Sequence, residues 1–447
     1  MNVLHKLSRR QQAWMIVAAA AAILLVSAGL SLAAEPSPKV TQGQAAKAPT
    51  AGIITLEELL AEARANNPAL QAARRRHVAA QAVPSQARSL PDPMVTGGLR
   101  NVGVDRLTTV GKEVRSDAIL SVQQAIPFPK KLSLRGEVAE READRIGSLS
   151  DVVERRLVRQ VSVAYHDLFF IHKSIEIIDK DKDLRERFAR TAEARYSVGK
   201  GIQQDVFRAQ VAVSRLLDRL SVLRQQERSA RARLNMLLNR PPESTLGRPL
   251  EVPVGTLAFT QAEFESKALE ASPAVAAARW EVDRSHAKLK LAKAQYYPDL
   301  SLKAAWLWRE NFEDIWEAWL GFTVPIYAAS KQRYGVKEAK AALEAAEAQL
   351  KAVRDEVLFT VADQYFQAQT ADEVSTLFRT GIIPQARLSL ESAVSGYGVG
   401  TVDFLTLLDN VKLLLDDELE YYREATNFHK SVARLEEVVG DPVTKQP

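Results

Sequence analysis

The sequence has no cysteine among its 447 residues. This absence excludes a disulfide-stabilised fold, metal sites built from thiolates and a cysteine nucleophile. It also excludes an acylated anchor of the lipoprotein type, because such an anchor needs a cysteine to carry the lipid. If this chain is held in a membrane, the polypeptide itself must hold it there.

Histidine is also scarce, and the motifs of common enzyme sites are missing. The six histidines include one close pair, His166 and His172, which do not have the four-residue spacing of two ligands on one helix face. The sequence has no His-Glu-x-x-His, no Walker loop, no dinucleotide-binding glycine motif and no Gly-x-Ser-x-Gly. We therefore expect no catalytic, cofactor-binding or metal-binding residues, and we interpret Tyr165-His166-Asp167 as a buried tyrosine beside surface polar residues.

The start of the chain predicts an export signal. Lys6, Arg9 and Arg10 precede an apolar run at 13–32 that ends in small residues. This order is typical of a secretory signal peptide, expected at 1–34, and the Pro- and Ala-rich stretch at 35–54 is expected to be flexible. The apolar run is also long enough to remain as a membrane anchor, which is the alternative interpretation.

The basic charge balance is largely a property of this signal. The chain has a formal net charge of +5, and residues 1–34 contain three Lys or Arg and no Asp or Glu, so +5 − 3 leaves +2 on the mature chain. A near-neutral exported chain is not expected to bind nucleic acid.

The remaining sequence is one unit written twice. We assign the first copy to 55–241, a linker to 242–256, the second copy to 257–442 and a tail to 443–447. Short segments recur in the same order in both copies. They are Asn67-Pro68 and Ser272-Pro273, Pro91-Asp92 and Pro298-Asp299, Pro127 and Pro325, Tyr196 to Gly199 and Tyr397 to Gly400, and Leu234 to Pro241 and Leu435 to Pro442. A colinear set of this kind indicates duplication.

Each copy contains two long helical stretches. A long helical pattern predicts a helix at 130–195. Heptads of apolar residues, such as Val213, Leu216, Leu220 and Leu223, predict helices at 204–239, 330–395 and 403–438. A helix of 60 residues extends about 90 Å, which is longer than a globular domain needs. The pattern therefore predicts a rod of coiled-coil helices.

Two strands per copy are expected between the short and long helices. Apolar and polar residues alternate at 94–102, 116–126, 299–309 and 315–325, and each segment has about the length of a strand that crosses a bilayer. Trp306, Trp308, Trp316 and Trp319 suit a membrane interface, although a soluble Trp-rich hairpin is the alternative. Four strands cannot close a barrel, so several chains would have to share one.

The duplicated layout from Thr55 to Gly440 resembles the TolC-like outer membrane efflux proteins. The resemblance is carried by Asn67-Pro68, Leu90 to Pro93, Arg195 to Val206 and their echoes in the second copy. It implies a mainly α-helical homotrimer in which three chains form a twelve-stranded membrane β-barrel and an α-helical periplasmic tunnel. The segment Gln124 to Leu132 is similar to the metal-efflux branch of this family.

The resemblance also implies partners and a location. The protein would lie in outer-membrane lipid and extend into the periplasm, where it would meet a periplasmic adaptor protein and an inner-membrane pump. It would conduct passively what the pump delivers. The alternative hypothesis is an inner-membrane-anchored periplasmic coiled-coil adaptor or scaffold.

Two turns between long helices are candidate sites. Glycine allows the positive φ that ends a helix, and in the resembled family these tips face the adaptor. The resemblance therefore places adaptor contact at Val198, Gly199, Val399 and Gly400.

Asp205 and Asp403 follow these turns and are candidates for the tunnel aperture. In a trimer each would form a ring of three carboxylates that favours cations. Either could instead cap the helix that begins there. We favour capping for Asp205 and the aperture for Asp403, because the resembled family has its constriction carboxylates on the matching helix of the second copy. The second turn is three residues shorter than the first. A gate that uses a basic residue of this loop in the resembled family therefore does not carry over directly to this sequence.

Overall fold

The computed structural model describes residues 52–100, 110–440 and 443–445. The predicted signal peptide at 1–34 lies outside the described residues, as do positions 35–51 and the predicted strand end at 101–102. No helix within the three described ranges is long and apolar enough to cross a bilayer.

The first copy contains short helices, two strands and two long helices. In chain order its elements are β1 (Ile53–Ile54), α1 (Leu56–Asn66), α2 (Pro68–Arg88), β2 (Met94–Arg100), β3 (Asp117–Ile126), α3 (Pro129–Ser197) and α4 (Gln203–Leu237). At a rise of about 1.5 Å per residue, the 69 residues of α3 extend about 100 Å.

The second copy repeats this order. Its elements, with two short strands before them and one after, are β4 (Arg248–Pro249), β5 (Thr256–Leu257), α5 (Gln261–Ala271), α6 (Pro273–Ala294), β6 (Asp299–Trp308), β7 (Ile315–Thr323), α7 (Gln332–Leu377), α8 (Ile383–Val399), α9 (Phe404–Val439) and β8 (Thr444–Lys445). The predicted fold class, a duplicated unit of long helices with two strands per copy, is confirmed.

The recurring Asn-Pro and Ser-Pro pairs mark where one short helix ends and the next begins. Asn67 caps α2, and its Oδ1 accepts hydrogen bonds from the N–H groups of Ala69 and Leu70 at 3.0 and 3.2 Å. Pro68 occupies the first helical position, where no N–H is needed. The Asn67 Nδ2 also donates to the carbonyl of Leu237 at 2.9 Å, which fixes the short helices against the end of α4.

The helix predicted at 330–395 is interrupted. A π-helical turn, Phe378–Ile382, separates α7 from α8, and the Ile383 N–H donates to the carbonyl of Phe378. Pro384 follows and has no N–H to donate to the preceding turn. The wider turn accommodates this missing donor, so the second copy has a π turn within a helical stretch whose counterpart in the first copy, α3, is α-helical throughout.

Buried apolar side chains form a series of clusters along the helices. One cluster lies within the first copy around Leu70, Tyr165 and Leu234, and its counterpart in the second copy surrounds Phe264 and Phe428. The other two clusters join helices of both copies, and they contain Phe188, Leu390, Phe404 and Leu407, and Ile178, Leu220 and Leu419. The copies therefore pack side by side as the heptads predicted.

The four longer strands form one antiparallel sheet in the order β2, β3, β6 and β7. Leu302 on β6 lies opposite Gln124 on β3 and Leu320 on β7. Residues that are paired across strands, or that lie two apart on one strand, share a face of the sheet. Leu302, Gln124 and Leu320 therefore lie on the same face as Val122 of β3 and its partner Val95 of β2. Among the described residues, β2 and β7 each have a neighbouring strand on one side alone.

Candidate functional site

Glycine residues with positive φ end the long helices at the two turns. Val198 closes α3, and Gly199 follows with a φ of 70°. Gly400 closes α8 with a φ of 85°. Both conformations lie in the left-handed region that glycine adopts without strain. Val198 and Val399 are exposed beside these glycines, so each turn presents an apolar side chain at its surface.

The turns of the two copies are joined by Arg195. Its Nη1 donates a hydrogen bond to the backbone carbonyl of Tyr397. The guanidinium also lies over the Tyr397 ring, with 4.7 Å between Arg195 Cζ and the ring centroid. Tyr397 is buried against Phe404 in the cluster shared by both copies. The ends of α3, α8 and α9 are therefore held together at one place.

Asp403 is the N-cap of α9. Its Oδ1 accepts a hydrogen bond from the Thr406 N–H at 2.7 Å, and this bond lowers the pKa of the carboxyl. Asp403 therefore caps this helix, and its role at the tunnel aperture stays a prediction. Its extended backbone turns the side chain onto the first helical turn. The carboxylate remains exposed and charged.

Asp205 does not cap a helix, so the favoured interpretation of this residue was wrong. The N-cap of α4 is Ile202, and Asp205 is the third helical residue. Partial burial raises the pKa of its carboxyl, Arg208 opposes this shift, and repulsion from Asp403 adds to it. Arg208 also acts on Asp403. The structure thus brings the two predicted carboxylates into one electrostatic group with Arg208.

The sequence analysis missed the two arginines of this group. Arg195 was part of a quoted segment, but nothing in its own helix indicates a partner 202 positions away. Arg208 could have been found, because it stands one helical turn after Asp205, a spacing at which opposite charges meet.

Three of the four tryptophans share one face of the sheet. Trp306 lies opposite Trp316, and their rings stack with centroids 6.0 Å apart. Trp308 is on the same face by alternation. Trp319 is on the other face, opposite Lys303, and its Nε1 donates to Glu317 at 3.3 Å. The strand register therefore separates Trp319 from the predicted aromatic set.

His166 is buried, which corrects the interpretation of its segment. It stacks on His429 of α9 with 4.4 Å between ring centroids and 3° between planes. Burial lowers the pKa of both imidazoles. Tyr165 is buried as expected, and its hydroxyl donates to the Leu250 carbonyl at 2.8 Å. In the described part of the chain, no group of three or more His, Asp or Glu side chains is placed to hold a metal ion.

A family model described as outer membrane efflux protein matches residues 59–240 and 265–441. These are two matches to one model, and they correspond to the two copies.

The chain is also similar to two curated proteins. It is 22% identical over 396 residues to the cobalt-zinc-cadmium resistance protein CzcC of Cupriavidus metallidurans, covering 87% of this chain and 91% of the relative. It is 22% identical over 409 residues to the outer membrane protein TolC of Vibrio cholerae, covering 86% and 90%.

Solved structures have the same fold. The outer membrane protein VceC of Vibrio cholerae superposes with a TM-score of 0.74 at 19% identity, covering 86% of this chain and 96% of that chain. The outer-membrane channel OprN superposes with a TM-score of 0.73 at 19% identity, covering 86% and 89%.

Proposed function

The chain belongs to the outer membrane efflux protein family, and from that premise we propose that three copies form the outer-membrane exit duct of a tripartite efflux system. The observation that carries the proposal is the combination, in each copy, of two antiparallel strands with long helices, the longest of which has 69 residues in the first copy and 46 in the second. The hairpins supply a membrane portion, and the helices supply a conduit that reaches from that membrane into the periplasm.

The open sheet supports an assembly of several copies. An unpaired strand edge leaves N–H and C=O groups without partners, which is prohibitive in lipid. In the part of a single chain that the structure describes, β2 and β7 are such edges. Three copies of the four-stranded sheet would give twelve strands in a closed barrel, in which each edge finds a partner.

The apolar face of the sheet supports contact with outer-membrane lipid. Leu302, Leu320 and Phe322 are exposed on one face, and Trp306 and Trp316 lie at the hairpin end of the same face. Aliphatic residues across the middle of a strand and tryptophan near its end match the lipid-facing side of a membrane strand. The polar face, with Lys303 and Glu317, would line the lumen.

The acidic group at the turns supports a role at the tunnel aperture. Three copies would bring together six carboxylates from Asp205 and Asp403, with Arg208 and Arg195 as partial counter-charges. Such a ring favours cations over anions. Mutual repulsion among the carboxylates would resist complete closure.

The exposed turns support adaptor contact. Channels of this family work with a periplasmic adaptor and an inner-membrane pump, and the energy for transport comes from the pump. Val198 and Val399 project from the turns beside Gly199 and Gly400. Each turn thus presents an exposed valine side chain beside a glycine, whose backbone a partner can approach closely. These features suit contact with the adaptor at these four positions.

Divalent transition-metal cations are the cargo that we favour. CzcC is named for resistance to cobalt, zinc and cadmium, and the acidic aperture would let cations pass. Cells that lack this protein should accumulate zinc or cobalt when exposed to it, and the wild-type gene should restore the lower level. Unchanged cellular metal would count against this cargo.

The inner-membrane-anchored scaffold is not supported, since the family is one of outer membrane proteins. N-terminal sequencing of the mature protein separates the two hypotheses. A duct should begin near residue 35, whereas an anchored scaffold should retain residues 13–32.

Fractionation of the full-length protein tests the proposed assembly. We expect it in the outer-membrane fraction, migrating as a species of three copies that heating in detergent converts to one copy. A single-copy protein recovered in the aqueous fraction would overturn the proposal.

A further inference from the structure

A cavity of about 530 Å³ lies between three of the long helices, α3, α4 and α9. The first two belong to the first copy, and α9 belongs to the second. The volume is typical of a site for a small molecule. The packing of the two copies therefore forms a pocket of ligand size part-way along α3.

The lining of this cavity is mainly cationic where it carries charge. Arg233 of α4 lines it, together with Arg423 and Lys430 of α9. Asp167 of α3 is the one carboxylate among the described residues of the lining, and it is paired with Lys430. Arg423 is paired with Glu420, one turn earlier in α9. Within the described part of the chain, no carboxylate forms an ion pair with Arg233. The cavity thus offers two guanidinium groups, from helices of different copies.

A buried hydroxyl beside these charges has no partner. Thr426 of α9 also lines the cavity and is 3% exposed. Its Oγ1 makes no hydrogen bond to any residue that the structure describes. Buried polar groups are nearly always hydrogen-bonded, so an unpaired hydroxyl next to a cavity points to a partner from outside the chain. An oxygen atom of an anion would accept from both the hydroxyl and the guanidinium groups.

Another part of the lining is apolar. It consists of Ala164, Phe170 and Ile171 of α3 and Ala230 of α4. Guanidinium groups bind carboxylates and phosphates through paired hydrogen bonds, whereas hydrocarbon side chains favour an apolar body. The combination therefore fits an organic anion better than an inorganic one.

The cavity opens on the side of α3 that the short strands leave uncovered. The Tyr165 hydroxyl donates to the carbonyl of Leu250, which follows β4, and Asp167 lies about 200° around the helix from Tyr165. A side that is covered by other elements cannot line a conduit, so in the proposed assembly the cavity would open into the conduit.

The carboxylates at the turns are too distant to neutralise this site. About 30 residues of α3, or about 45 Å, separate Asp167 from Ser197 at the end of the helix. The Debye length at physiological salt is about 8 Å. The charges of the cavity and those of the predicted aperture therefore act independently.

We propose that this cavity binds a small organic anion. Arg233 and Arg423 hold its anionic groups, the Thr426 hydroxyl donates to one of their oxygen atoms, and Phe170 packs against its apolar body. The position of the site on the conduit wall rests on the proposed function, whereas the binding itself does not. With this site, the duct takes organic anions as a class of cargo in addition to metal cations.

Binding of phthalate, a benzene ring with two adjacent carboxylates, tests the proposal. Isothermal titration calorimetry on the purified full-length protein in detergent compares phthalate with dimethyl phthalate, its neutral ester, and with inorganic phosphate. We expect phthalate to bind at least tenfold more tightly than either of the other compounds. Dimethyl phthalate that binds as tightly as phthalate would overturn the role of charge, and inorganic phosphate that binds as tightly would overturn the organic class.

Four variants assign the binding to named groups. Arg233→Gln and Arg423→Gln should each weaken phthalate binding at least tenfold. Arg228→Gln is the matched control, because Arg228 is exposed on the same helix and lies outside the lining. Thr426→Val removes the unpaired hydroxyl and nearly keeps the shape, so it should weaken binding without lowering the thermal midpoint of the free protein.

The outcomes separate this site from the proposed duct. Unchanged phthalate affinity in both arginine variants of the cavity would overturn the site. A protein that forms conductance steps in a bilayer and binds no phthalate would also overturn the site, and it would leave the duct standing. Phthalate binding by a protein of one-copy mass that forms no conductance steps would support the site and overturn the duct.

Discussion

The guanidinium of Arg195 lies over the ring of Tyr397, with 4.7 Å between Arg195 Cζ and the ring centroid. Arg195 also donates to the Tyr397 carbonyl. One side chain therefore joins the last turn of α3 to the last turn of α8, and the same guanidinium acts electrostatically on Asp205. In the proposed assembly this contact would stabilise the tunnel aperture, which has measurable consequences.

Replacement of Arg195 should loosen the aperture. Arg195→Ala removes a cation–π contact, for which about 1 kcal/mol is typical, together with a charge-assisted hydrogen bond. We expect a higher single-channel conductance at low voltage than in the wild type. Arg190→Ala, at an exposed position on the same helix, is the matched control and should leave conductance unchanged. Equal conductance of the wild type, Arg195→Ala and Arg190→Ala would show that Arg195 does not stabilise the aperture.

Substitutions at Asp403 separate its charge from its cap. Asp403→Asn keeps an acceptor for the Thr406 N–H and loses the charge, whereas Asp403→Ala loses both and destabilises the start of α9. We expect both variants to reduce cation selectivity, measured as the reversal potential in a salt gradient, and the alanine variant alone to melt earlier. Selectivity that is unchanged in the asparagine variant would leave Asp403 as a cap only.

Asp205 offers the complementary experiment. Because its side chain caps no helix, Asp205→Asn should lower cation selectivity without a loss of thermal stability. Burial raises the pKa of the Asp205 carboxyl, so on acidification the wild type should begin to lose cation selectivity at a comparatively high pH. In Asp205→Asn the remaining selectivity depends on Asp403, and it should persist to lower pH. The same reversal-potential measurement between pH 3 and 7 tests this, and identical profiles would exclude Asp205 from the conduction path.

Asp181 predicts how stability depends on pH. It is buried in the helical portion, with its Oδ2 2.8 Å from Arg185 Nε. Burial raises the pKa of its carboxyl to about 6, against the opposing effect of Arg185 and with repulsion from Asp416 and Glu418. A raised native pKa means that the folded state binds more protons than the unfolded state, so the Asp181 contribution to stability falls as pH rises from about 4 to 6.

The size of this effect is on the order of 3 kcal/mol. We expect the thermal midpoint of Asp181→Asn to vary less with pH over this window than that of the wild type. Asp183→Asn, at an exposed position two residues away, serves as the control and should follow the wild type. A wild-type slope retained in Asp181→Asn would show that the pH response arises elsewhere.

The two faces of the sheet should respond differently to charge. Leu320→Arg places a cation on the apolar face, where a cost of about 2–4 kcal/mol is expected near the bilayer midplane. Gln123→Arg makes the same change on the polar face, which would line the lumen. We expect the first variant to lose the heat-sensitive assembled species and the second to retain it. If both variants assembled equally well, Leu320 would not face lipid.

Local patterns predicted the elements of the fold closely. The bounds of β3 and β7 were read from two-residue alternation, and those of α3 from its long helical pattern and the proline before it. The repeat fixed which elements correspond. Each of these signals lies within a few neighbouring residues, so a single sequence contains them.

Features that depend on distant residues could not be read in the same way. His166 has polar neighbours in sequence, and its burial follows from α9, which supplies His429. The choice of N-cap at Asp403 and not at Asp205 depends on where each turn ends, and the two turns differ in length. The π turn before Pro384 could not be predicted because proline, which lacks an N–H donor, can either end a helix or be accommodated within one.

Recording from the purified protein in a planar lipid bilayer, without nucleotide or partner proteins, tests the central claim most directly. A passive duct with an acidic aperture should insert to give discrete conductance steps, with a reversal potential in a salt gradient that shows preference for cations. A protein that reaches the bilayer intact and produces no conductance steps would contradict the account.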